Sequence, residues 1–232
     1  KPVAPLETVC DLYQDLINLA RCIQDPATRA RLHERLYLTP VAEVFYHESF
    51  REIQRPPSLP LSAGVDEQRA YHMFVASWLG RNGLAGTRGQ KESFCVRYTS
   101  NGGSPGKRFV GAADSIEAWG ERLRKVTILC RDGLEVVKRI EDKIGTVIYC
   151  DPPYLDKQGE YIHDFNNQAH EDLAEVLKRF DKTRIVVSYY DHPRLRELYP
   201  GWTKVFCTRN KHMSVGSAAG AEMKKAPEVV LI

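Results

Sequence analysis

The string Asp151-Pro152-Pro153-Tyr154 directly follows the apolar run TVIYC at 146–150. Two consecutive prolines fix φ and remove two backbone donors. The chain is stiff there and offers carbonyls without competing N–H groups. A carboxylate, an aimed carbonyl and an aromatic plate thus fall within one short stretch. That set suits a planar amine: two acceptors take the hydrogens of an NH2 group while its ring stacks on Tyr154. The plainer alternatives are a polar turn after a strand and, for Tyr154, a core aromatic.

Ligands of open α/β sheets bind beyond the carboxyl ends of strands, so the string needs such a sheet beneath it. From residue 126 onward the pattern supplies one. VTILC (126–130), TVIYCD (146–151), RIVVSYY (184–190), WTKVFCTR (202–209) and PEVVLI (227–232) read as strands. GLEVVKRIED (133–142), HEDLAEVLKRF (170–180) and a short HPRLRELY segment read as helices between them. Alternation of this kind implies a mostly parallel sheet with helices on its faces. At the other end LETVCD (6–11) reads as a strand closed by an acid, and 12–24 carries apolar residues at helical spacing until Asp25-Pro26 breaks it.

Between these parts the chain changes character. Residues 27–55 are helical and highly charged, 56–65 read as a linker, and 66–80 form an amphipathic helix with Asp66 as N-cap. Glycines are dense over 80–111 and alternate with basic and aromatic residues. SFCVRYTS (93–100) reads as a strand entering a long loop, and a helix follows at 115–124. The expected organisation is a main domain of 1–25 and 126–232, interrupted by a helical, Gly-rich, basic insert at 26–125.

The 232 residues are enough for a sizeable core, and 43% hydrophobic with 27% charged is an ordinary globular composition. No apolar run approaches the length of a membrane span. The net charge of +3 permits a nucleic-acid partner without requiring one. Six cysteines form no CxxC pair, so free thiols are expected rather than a disulfide framework or a zinc site. The seven histidines show no ligand spacing and read as surface or N-cap-region residues; no metal is expected. Ser188 lies on a strand outside any GxSxG context, which gives serine hydrolase chemistry no support.

DPPY after a strand resembles the catalytic motif of S-adenosylmethionine-dependent amino-methyltransferases, and the flanks extend the likeness over most of the chain. ETVCDLYQDLINLARCIQDP, RYTSNGGSPGKRF, VTILCRDGLEVV, YIHDFNNQAHEDLAEVL, VVSYYDHPRLRELY and KKAPEVVLI are similar to successive segments of the Dam-type DNA adenine methyltransferases. The resemblance implies a Rossmann-like methyltransferase sheet with a target-recognition insert. It implies methyl transfer to the exocyclic amine of an adenine flipped out of double-stranded DNA. Asp151 and the Pro152 carbonyl would accept from that amine, Pro153 would complete the rigid turn, and Tyr154 would stack on the base.

The likeness also assigns cofactor contacts. Asp11 would accept from the ribose hydroxyls of S-adenosylmethionine, with a helix N-cap as the alternative. Asp132 would meet the cofactor adenine, with a helix cap as its alternative. Asp151 would also border the cofactor. Tyr161 and Phe165 would close the pocket, or simply pack. In the insert, Arg97, Tyr98, Asn101, Lys107 and Arg108 would contact DNA, against the alternative of a solvated charged loop. The family normally opens with a strand and an FxGxG turn before the segment matched at 7–11. Neither is found here, which leads to the expectation of an N-terminally incomplete or degraded chain that binds cofactor weakly.

Cytosine, RNA or a protein glutamine as substrate, and an inactive DNA-binding remnant, remain as alternatives. A cytoplasmic, bacterial or phage monomer is the accompanying expectation.

Overall fold

The computed structural model describes residues 4–81, 92–96, 103–155, 161–207, 209–210, 225–226 and 228–232. They divide into two compact units, Lys1–Gly133 and Leu134–Ile232.

The first unit is mainly helical. Strand β1 (Thr8–Asp11) leads into α1 (Gln14–Gln24), α2 (Pro26–Tyr37), α3 (Glu43–Gln54) and α4 (Glu67–Leu79). The break at Asp25-Pro26 both ends α1 and starts α2. Asp25 accepts from the Thr28 N–H at 2.9 Å, and Pro26 occupies the first helical turn, where its missing donor costs nothing. Asp66 caps α4 as expected, accepting from the Arg69 N–H at 2.9 Å. Ala70, Tyr71, His72, Met73, Phe74, Val75, Ala76 and Leu79 are all buried, so α4 is the central helix of this unit. Arg69 then grips the buried Asp15 of α1 through two bonds of 2.6 and 2.7 Å and donates to the carbonyls of Glu52 and Ile53 in α3. One guanidinium therefore joins three helices.

The expected strand at 93–100 is not formed over its described part, 93–96. A single antiparallel bridge, Gly80 with Phe94, replaces it. Cys95 N–H donates to the Leu79 carbonyl at 2.8 Å, which ties this segment to the end of α4 instead of to a sheet. A helix absent from the expected loop follows: α5 (Pro105–Asp114), then α6 (Ile116–Leu123). Ser104 caps α5, Pro105 opens it, and Phe109, Ala112 and Ala113 bury one stripe. Strand β2 (Thr127–Cys130) returns to pair in parallel with β1, Thr8 opposite Thr127 and Asp11 opposite Cys130.

Helix α7 (Gly133–Val137) is one short turn rather than the ten-residue helix expected. Beyond it Asp142 accepts from the N–H groups of Asp181, Lys182 and Thr183. In the second unit β3 (Val147–Cys150), α8 (Asn167–Leu177), β4 (Arg184–Tyr190), α9 (Leu195–Leu198), β5 (Lys204–Phe206), β6 (Arg209–Asn210), β7 (Lys225–Ala226) and β8 (Glu228–Leu231) follow. Helix α8 begins earlier than expected because the Asn166 side chain caps it, accepting from the Ala169 N–H at 2.9 Å.

The main sheet of this unit has the order β3-β4-β8-β5. Strands β3, β4 and β5 run in one direction and β8, between β4 and β5, is antiparallel to both, so this sheet is mostly parallel with one reversed strand. The reason lies in the excursion after β5: β6 and β7 pair antiparallel, turning the chain back and delivering β8 beside β5. One sheet face, with Ile148, Ile185, Val187, Tyr189, Val229 and Leu231, is buried in a core with Leu173 and Leu177 of α8 and Leu195 of α9. On the other face Val147 and Tyr149 of β3 are each 64% exposed.

Two histidines are buried: His72, mid-way along α4, departs from the surface or N-cap-region expectation, while His170 lies in the first turn of α8. His72 is buried between Gln68 and Ser49, and His170 is 0% exposed with its Nδ1 2.9 Å from the Tyr189 hydroxyl. The six cysteines are free, Cys22 and Cys95 buried. Among the described residues no cluster could hold a metal ion and no helix is long and apolar enough to cross a membrane.

Candidate active site

Strand β3 hands the chain to Asp151 at its carboxyl end, and β4 runs parallel beside it with Cys150 opposite Val187. The next residue of β4, Ser188, therefore comes level with Asp151. Its hydroxyl donates to Asp151 Oδ1 at 2.6 Å. That length is typical of a charge-assisted O–H···O bond. The Tyr149 hydroxyl donates in turn to Ser188 Oγ at 3.1 Å. Ser188 is 2% exposed and sits on a strand bonded on both sides, by β3 and β8, so the donor is held on a rigid base.

The period of two in RIVVSYY explains the grouping. Ile185, Val187 and Tyr189 face the helices, so Ser188 and Tyr190 face the other way, on the side of Tyr149 and Asp151. Tyr190 meets Tyr154, the two rings 4.2 Å apart between centroids and tilted by 46°. Tyr154 also lies 6.4 Å from the Tyr189 ring. Burial pushes the Tyr154 phenol well above its ordinary pKa, and the charges of Asp151 and Glu228 push it further, so it is neutral across the physiological range. Pro152 and Pro153 are half-buried while Asp151 is exposed. No backbone N–H among the described residues bonds the Pro152 carbonyl.

The other acids expected at strand ends lie in the first unit. Asp11 closes β1 and its Oδ1 accepts from the Tyr13 N–H at 2.7 Å. This is a two-residue side-chain turn ahead of α1, not a cap of that helix, whose cap position is Tyr13. Asp132 lies immediately before α7 and is exposed. Burial raises the Cys10 thiol pKa, and the Asp11 and Asp132 carboxylates raise it further; burial and Asp11 do the same to Cys130. The ends of β1 and β2 thus carry a local negative field.

Phe165 stands edge-to-face on His170 with centroids 4.7 Å apart, and packs against the core of the second unit; Tyr161 is half-buried. Lys107 and Arg108 are exposed on the first turn of α5, a helix and not the loop expected. Arg97, Tyr98 and Asn101 lie outside the described residues. The sequence reading passed over Tyr149 and Tyr190 and considered Ser188 only as a nucleophile. Strand alternation was the signal that could have put all three with Asp151.

A carboxylate held at a strand end thus lies beside a donor-free Pro-Pro turn and paired tyrosine rings. The chain belongs to the D12 class N6 adenine-specific DNA methyltransferase family, whose pattern it matches over residues 5–213. It is 27% identical to the Retron Ec67 DNA adenine methylase of Escherichia coli over 237 aligned positions, which take in 98% of this chain and 76% of that protein.

Proposed function

We propose that the protein transfers a methyl group from S-adenosylmethionine to the exocyclic amine of adenine in double-stranded DNA, using the Asp151–Tyr154 turn. The observation that carries this reading is Asp151 itself, fixed through Oδ1 by Ser188 while Oδ2 accepts nothing among the described residues. Oδ2 and the Pro152 carbonyl are the two acceptors an NH2 group needs. Accepting both hydrogens leaves the nitrogen lone pair turned toward an electrophile. Tyr154, braced by Tyr190, is the stacking surface for an extruded base. No enzyme nucleophile is needed; positioning and fixed dipoles supply the rate.

The donor set at the ends of β1 and β2 fits the cofactor. Carboxylates suit the hydroxyls of a ribose and the positive charge of a sulfonium. Asp11 and Asp132 would hold it there. When bound, S-adenosylmethionine supplies the electrophilic methyl group. The Rossmann-like character of the sheet follows from this reading, as does a DNA-facing insert at 26–125. In that insert Lys107 and Arg108 sit on an α-helical first turn, where cations and backbone N–H groups together suit a phosphate. A DNA substrate would place the protein in the cytoplasm of a bacterium or an infected cell.

The test is methyl transfer from isotope-labelled S-adenosylmethionine to mixed-sequence duplex DNA by the intact protein. Label in N6-methyladenine after nucleoside digestion is the expected result. Label in N4-methylcytosine would change the substrate, and DNA binding without transfer would overturn the enzymatic reading.

A further inference from the structure

We infer that Ser188 is a positioning residue for methyl transfer: its hydroxyl, oriented by Tyr149, fixes the Asp151 carboxylate so that Oδ2 alone faces the target amine. The inference rests on the methyltransferase reading of Asp151 and adds to it two residues outside the DPPY string.

A serine hydroxyl has one proton. Two acceptors lie within reach of Ser188 Oγ, Asp151 Oδ1 at 2.6 Å and the Cys150 carbonyl at 3.4 Å. The shorter, charge-assisted bond takes the proton. The Tyr149 hydroxyl then has a lone pair of Ser188 to donate to, at 3.1 Å. The chain of donors is directional, Tyr149 to Ser188 to Asp151, and each bond polarises the next. An aspartate at the end of a strand has free rotation about its terminal torsion and two equivalent oxygens. One fixed bond to Oδ1 removes that freedom and decides which oxygen meets the amine. A methyl transfer that requires the nitrogen in line with its electrophile is sensitive to a misplacement of this size.

The position of Ser188 makes the effect separable from folding. The partners it would abandon, Tyr149 at 64% exposed and the exposed Asp151, both reach solvent. Water can satisfy them after Ser188→Ala, and no buried polar group is orphaned.

The experiment compares the intact wild type with Ser188→Ala, Ser188→Thr, Tyr149→Phe and Asp151→Ala, using steady-state methylation of duplex DNA and thermal melting. Ser188→Ala is expected to lower kcat about tenfold or more, with KM for DNA and cofactor within about twofold and an unchanged melting temperature. Ser188→Thr, which keeps the hydroxyl, restores most of kcat. Tyr149→Phe gives a smaller fall, about threefold. A Ser188→Ala enzyme with wild-type kcat beside an inactive Asp151→Ala enzyme overturns the positioning role and leaves the functional reading standing. A kcat loss that Ser188→Thr does not recover, or one matched by a lower melting temperature, overturns it as well. An active Asp151→Ala enzyme, or an inactive wild type, overturns both.

Discussion

Among the described residues the Asp151 carboxylate makes its hydrogen bond through Oδ1 alone, and its residue is exposed, so the group can be removed without opening the core. In Asp151→Ala the buried Ser188 hydroxyl turns to the Cys150 carbonyl, already 3.4 Å away. The stability change is therefore expected to stay within about 0.5 kcal/mol by urea titration. Methyl transfer should fall about a thousandfold or more in kcat, because a preorganised acceptor at the reacting amine is lost. A variant that keeps its rate refutes the assigned role. The DPPY string was legible in the sequence because its chemistry is local: four adjacent residues carry the acceptors and the ring. Ser188 and Tyr190 were not, because their meeting with Asp151 and Tyr154 depends on the β3–β4 register. That register is set by a core face some forty residues apart along the chain.

Helix pairing shows the same division between local and distant information. The Ser-Pro opening of α5 was written in the sequence and was outweighed by the surrounding glycines; a Ser cap and a Pro in the first turn act on the backbone directly, whatever precedes them. The close approach of α2 and α6 could not be read at all. Arg29, 4% exposed, enters α6 from α2, binds Glu117 at 2.9 and 3.0 Å and Glu121 at 3.3 Å, and donates to the Ile23 carbonyl at 3.2 Å. It does so over Gly120, where an added Cβ would stand 2.1 Å from Nη1 and 2.5 Å from Cζ. Gly120→Ala gains about 1 kcal/mol of helix propensity. The methyl group must displace a buried guanidinium and part it from its carboxylates, which costs roughly 1–3 kcal/mol from overpacking, with the broken bonds in addition. The net expectation is destabilisation, read as a lower urea midpoint with α6 amides exchanging faster. A midpoint at or above wild type would show that Arg29 relocates freely.

At the scale of the whole molecule the two units respond to pH through different groups, and in the second unit one of them is His170. His170, on α8, is sealed against Phe165 and Tyr189, and its Nε2 has no hydrogen-bond partner among the described residues. Burial lowers its pKa to about 4, with the charge of Arg194 acting in the same direction. In the unfolded chain the imidazole titrates near 6.5. Between those values the unfolded state holds the extra proton, so stability rises with pH. The contribution is complete above about 6.5 and is lost as pH falls to about 4; the shift is worth roughly 3 kcal/mol, most of it gone by about pH 4.5. Other groups fall in separable places. His72, lowered by burial and by Arg35, has the same sign but belongs to the first unit. His47 of that unit is raised by Glu43 and Glu92, so its contribution is present at low pH and is lost as pH rises through its folded value. Burial alone would raise Asp142, but three backbone N–H donors bring it to about 2, so its contribution disappears only as pH falls toward that value. Hydrogen exchange at β4 and β8 amides follows the second unit by itself. Its opening free energy should drop by about 2 kcal/mol from about pH 7 to about pH 4.5 in the wild type, and by much less in His170→Asn, whose amide can still reach the Tyr189 hydroxyl. Equal drops in the two proteins would mean that His170 is not the group being protonated when the second unit opens.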